Sequence, residues 1–180
     1  MHGRMIGLGG LLALLLLPGI ALPANADDPC AKFSWDARHE RTLSGEVPQL
    51  LAAGKAPASS SAVSPDRLYR LQLIPQSQVS FAAPPGKRPS SDGAYAGLAT
   101  LSLDKPGSYR ISLDQPAWVD VVANGAVIDA RDFQGRRGCN APHKIVAFEL
   151  PAGTRLTLQF SASTSAALLM AVSRSPAQGP

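Results

Sequence analysis

Residues 132–144 read DFQGRRGCNAPHK and bring a carboxylate, two arginines, a cysteine, a histidine and a lysine into thirteen positions. Three chemistries fit such a run. Cys139 and His143, at C-x3-H spacing, could act as a thiolate–imidazole pair for a metal or for nucleophilic attack. The GRRG segment could turn the guanidinium groups of Arg136 and Arg137 toward one anion, with Lys144 at the loop's exit as a third cation. Alternatively, Cys139 could join the only other cysteine, Cys30, in a disulfide, leaving a surface loop held in place. A disulfide removes the thiolate, and no C-x-x-C is present, so the sequence favours the fixed loop over the metal or catalytic reading.

Other candidates are sparse. Past the N-terminal region only two histidines remain, His39 and His143. With an acid such as Glu40, Glu46, Asp132 or Glu149 they just suffice for a two-histidine, one-carboxylate iron site. That would be an oxygenase of cupin type, similar to homogentisate 1,2-dioxygenase, with Fe as cofactor. No H-x-H-x-E-like cluster supports it, and His39 lies outside the strand-forming region. The mature chain is therefore expected to need no cofactor and to hold no metal. Serine nucleophiles lack a G-x-S-x-G, and GSY (107–109) reads as a turn entering a strand. Asp120, Asp129 and Asp132 could pair as carboxylates around a hairpin. Their spacing lacks the short run of oxygen ligands that a calcium loop uses. Trp118, close to Pro116, is the candidate for ligand stacking.

The surroundings in which these residues act follow from the N-terminus. Arg4 precedes the apolar run IGLGGLLALLLLPGIAL (6–22), and PANA offers an A-x-A cleavage site before Asp27. This is the pattern of a signal peptide over 1–26, and no second hydrophobic span follows, so no stable membrane insertion is expected after cleavage. Removing it from 180 residues leaves 154, enough for one domain with a real core. Sixteen Lys and Arg then face thirteen acids, a net charge of +3 without a basic block, which argues against nucleic-acid binding. The expected location is periplasmic or secreted. In such an oxidising compartment two cysteines imply an intramolecular Cys30–Cys139 disulfide enclosing 108 residues.

The elements that must position these residues are mostly extended. KFSWDARHERTLSG predicts a helical turn capped by Asp36 and ended by Gly45, with Trp35 and Leu43 inward and Arg38, Glu40 and Arg41 solvated. The Ala/Ser/Pro-rich stretch 48–65 reads as a connector in its latter part. From Arg67 the period becomes two. Inward sets are Tyr69, Leu71 and Leu73; Ala99, Leu101 and Leu103; Tyr109, Ile111 and Leu113; Val146, Phe148 and Leu150; Leu156, Leu158 and Phe160. Asn124-Gly125 between two β-rich runs predicts a tight hairpin. About eight strands separated by Gly/Pro turns predict an all-β fold, an antiparallel β-sandwich or jelly roll over 67–174. It is preceded by a segment over 27–66 with a short helix, and followed by a tail over 175–180.

Two stretches, PGSYRISLDQPAWVDVVANGAVI and HKIVAFELPAGTRLTLQFSASTSAALLMAVS, resemble the jelly-roll modules called pre-peptidase C-terminal-like domains of secreted bacterial proteins. The shared features are a G-x-Y strand, a strand ending in Asp before a hairpin, and an F-x-L-x-A-G-x-x-L-x-L strand pair, over about residues 97–173. The resemblance implies a binding or stabilising role. Together these readings point to an exported, non-enzymatic β-sandwich that meets an envelope protein or an anionic ligand, with Arg136, Arg137, Lys144 and Trp118 as its contacts.

Overall fold

The computed structural model describes residues 28–87 and 93–176. The signal-peptide reading over 1–26, residues 88–92 and the end of the tail lie outside the described residues. One α-helix, α1 (Arg38–Ser44), precedes twelve strands. These are β1 (Gln49–Ala52), β2 (Ser61–Val63), β3 (Leu68–Gln72), β4 (Ile74–Pro75), β5 (Tyr95–Ser102) and β6 (Gly107–Leu113). They continue as β7 (Trp118–Ala123), β8 (Ala126–Ile128), β9 (Ala130–Gly135), β10 (Lys144–Leu150), β11 (Arg155–Ser163) and β12 (Ala167–Arg174).

The strands form two sheets. One runs β1-β3-β12-β6-β10-β9, the other β2-β5-β11-β7-β8 with β4 beside β5. Period-two alternation does what it predicts here. Leu71, Leu101, Ile111, Leu156, Leu158 and Phe160 are fully buried, and Phe148 and Leu150 nearly so, in one core fed by both sheets. The fold is thus the expected all-β sandwich. The sheets are mixed rather than purely antiparallel, because β1 pairs β3 in parallel and β2 pairs β5 in parallel. Both parallel strands come from the 48–65 stretch, and β2 lies in the latter part read as a connector. Residues 49–63 instead add two short edge strands, each too brief to show a pattern in sequence.

The Asn124-Gly125 hairpin is present between β7 and β8, with φ of 51° and 78°. Two consecutive positive φ values suit a primed turn, which matches the twist of the flanking strands. The Asp36 carboxylate accepts the first helical amide, that of Arg38, at 3.1 Å, although Ala37 rather than Asp36 stands at the N-cap of α1. Its faces differ from expectation. Trp35 is only half-buried and Glu40 is completely buried, because α1 docks on the outer surface of β12, where Leu43 packs with Leu68 and Ala171. A sheet surface that receives a helix buries whatever the helix presents, and here it presents a carboxylate. The Glu40 Oε1 accepts Ser173 Oγ at 2.8 Å and Arg110 Nη1 at 3.4 Å, while Oε2 has no partner.

Candidate functional site

The 132–144 loop is held by a disulfide, Cys30–Cys139, spanning 109 positions. Further contacts fasten the same region to residues 28–34. Pro29 lies against Gly138, the Ser34 amide donates to Gln134 Oε1 at 2.8 Å, and Arg136 sits over the Phe33 ring at 5.3 Å. Arg136 also donates from Nε to the Lys32 carbonyl. The loop closes on itself through Arg136 N–H to the His143 carbonyl, at 2.8 Å, and is stitched to β6 by His143 N–H to the Leu113 carbonyl, also 2.8 Å. Neither Cys139 nor Cys30 is a free thiol.

Fixing this loop places its end beside the start of β7. A cleft of 540 Å³ opens there, lined by Trp118, Phe133, Arg137, His143, Lys144 and Lys87 among others. The sequence marks Arg137 and Lys144 as anion contacts and Trp118 separately as a stacking residue, and the fold brings all three together. Arg136 is turned away, its guanidinium committed to Phe33 and the Lys32 carbonyl. Phe133 and Lys87 have no sequence signal of their own. Phe133 interrupts no alternation, yet it is 65% exposed because β9 is a sheet edge.

The indole and the Lys144 ammonium in the cleft are both held in place. Asp120, on β7 two residues from Trp118, accepts the indole Nε1–H at 2.7 Å and fixes the ring. The same carboxylate accepts the Gly86 amide at 3.1 Å and Gln159 Nε2 at 3.2 Å. Gly86 must be glycine, since a Cβ there would lie 2.7 Å from the Trp118 nitrogen. Lys144 Nζ stands 5.0 Å from the Trp118 centroid and 5.9 Å from that of Phe133, and donates to the Ala117 carbonyl at 3.3 Å. Burial pushes its pKa below the usual lysine value, repulsion from Lys87 pushes it further down, and Asp120 partly offsets both. No carboxylate lines this cleft among the described residues. Chemically, it offers aromatic surface plus cations, which suits an anionic group attached to a flat or apolar body.

The remaining candidates are scattered. His39, on α1, pairs with Asp66 at 2.7 Å, His143 lines the aromatic cleft, and Glu149 lines a different cleft. Among the described residues no group of three His, Cys, Asp or Glu stands close enough to hold a metal ion, so the set His39, His143 and Glu149 is not brought together. Of the hairpin carboxylates, Asp120 is buried and spent on Trp118, Gly86 and Gln159, while Asp129 is exposed. No family model matches this chain, and no curated relative matches it either.

Proposed function

We propose that this protein is an exported, non-enzymatic binding module that holds an anionic ligand or partner in the Trp118–Lys144–Arg137 cleft. The observation that carries the reading is the convergence of a fixed indole and several cations on one cleft whose lining, among the described residues, lacks a carboxylate. The disulfide is compatible with an oxidising, extracytoplasmic compartment, and the signal-peptide pattern of the sequence supports a periplasmic or secreted site. Kinship with pre-peptidase C-terminal-like modules is part of the same proposal, supported by the quoted stretches forming β6 to β8 and β10 to β12.

The cleft suits an acidic saccharide, whose ring can lie on aromatic surface while its carboxylate meets Arg137 and Lys144. Titration of the oxidised mature chain with digalacturonate, followed by the Trp118 indole N–H resonance, tests this. Saturable shifts that weaken as salt is added are expected. A Lys144→Met, Arg137→Ser double variant should lose at least about tenfold in affinity, the cost of one charge-assisted hydrogen bond. Equal binding of neutral maltose, or an unchanged affinity in the double variant, would refute the reading.

A further inference from the structure

The outer face of β12, β6, β10 and β9 carries a second cleft, of 780 Å³, which shares no lining residue with the first. Its floor is set by register. Arg110 on β6 faces Ala147 on β10, and Ala147 faces Asp132 on β9, so a small side chain separates two charged ones along one row. The next position on β9 is irregular. Ala147 pairs with Asp132 but Phe148 pairs with Ala130, which leaves Arg131 as an extra, unpaired residue. In a regular strand Arg131 and Asp132 would project to opposite faces. A β-bulge re-aims side chains, and here both residues line the same cleft.

The charges around this cleft divide into used and unused. Arg110 is used: its Nη1 donates to the Asp36 carbonyl at 2.7 Å and to Glu40 at 3.4 Å, and its guanidinium covers Trp35 at 4.9 Å. Arg131, Arg174, Asp132 and Glu149 also line the cleft, and none of the four is in an ion pair with any described residue. Arg174 gives one bond to the Pro106 carbonyl at 3.4 Å, and Asp132 takes its neighbour's amide at 2.7 Å. Two cations and two carboxylates therefore face one space without neutralising each other. A simple anion would be repelled by the carboxylates, and a simple cation by the guanidinium groups. A ligand that carries both charges is matched by both pairs.

We propose that this cleft binds a zwitterion, a free amino acid or short peptide. Arg131 takes its carboxylate through paired hydrogen bonds, and Asp132 and Glu149 take its ammonium. The Ser108 and Ser175 hydroxyls, bonded to each other at 3.0 Å, supply polar floor for a peptide amide. This site stands independently of the anionic-ligand reading of the first cleft.

Titration of the full oxidised chain by amide NMR, with L-alanine and with L-alanyl-L-alanine, tests the proposal and separates amino acid from peptide. Saturable shifts centred on residues 108–110, 131–132 and 147–149 are expected for at least one of the two. N-acetyl-alanyl-alanine and alanyl-alanine amide should each bind about tenfold or more weakly than the free dipeptide, because each lacks one charge-assisted contact. Arg131→Ala should impose a similar loss while leaving the thermal midpoint unchanged, since an unpaired side chain holds nothing in place. The proposal is overturned if the blocked dipeptides bind as well as the free one, or if Arg131→Ala binds normally. Absence of saturation by either zwitterion up to about 10 mM also overturns it.

Discussion

Lys144 shows how a residue can work against stability at the place where binding is proposed. Its ammonium is half-buried between two rings, and its pKa lies below the ordinary lysine value of 10.5. Between that lowered value and 10.5 the unfolded chain binds more protons than the folded one, so stability from this site rises with pH across that window. At neutral pH the charged lysine therefore costs stability. Lys144→Met keeps an unbranched stem against Trp118 and removes the charge. Its thermal midpoint at pH 7 should equal or exceed that of the parent, and any advantage should shrink as pH rises from the lowered value toward 10.5 and be gone above it. Circular dichroism melts over a pH series measure this. A variant clearly less stable at pH 7 would show that the ammonium is structural. Lys144 was legible in sequence as a cation near the loop. Its burial was not, because that depends on a ring from the opposite sheet.

At the scale of elements, the N-terminal segment matters more than its composition suggests. The seven-residue α1 is too short to persist alone and is held by Leu43, by the Glu40–Ser173 bond and by Arg110. The preceding residues are fastened to the 136–143 loop by the disulfide. Closing so long a loop restricts the unfolded chain, which stabilises by up to about 4–5 kcal/mol on the chain-entropy account. A Cys30→Ser, Cys139→Ser chain should lose a substantial part of that in chemical denaturation. Its amides in 28–34 and 136–143 should exchange faster than the loss of global stability alone explains. Uniform acceleration across all strands would mean that the disulfide acts only on the unfolded state. The disulfide could be read from two cysteines and a compartment. Glu40 was misread, because its flanking arginines are those of a solvated helix and only docking onto β12 buries it.

The described residues form one sandwich whose main core is drawn from both sheets. Phe148, from the first sheet, is among the largest fully buried side chains, and it shares that core with Phe160 of the second. Truncating it should be felt by every strand. Phe148→Ala is expected to cost about 3–5 kcal/mol from lost burial and the cavity left behind. For a domain of this size that lowers the thermal midpoint by on the order of 10 °C. The unfolding should remain a single transition, with fluorescence and circular dichroism coinciding. Two separated transitions would show that the sheets unfold independently.

The sequence by itself determined the fold class, the inward faces of the long strands, the Asn124-Gly125 hairpin and the cysteine pairing. Each rests on a local period or on a count, and both survive without knowledge of what lies across the sheet. The tertiary structure decided what depends on partners distant in the chain. Residues 49–52 and 61–63 became strands by pairing with the free edges of β3 and β5. Trp118, Arg137 and Lys144 met because the disulfide fixes a loop of one sheet beside the first residue of a strand in the other. Arg131 joined Asp132 on one face through a bulge that can be seen only in the pairing with β10. Side-chain direction within a strand is local, but the cleft into which it points is made by the neighbour.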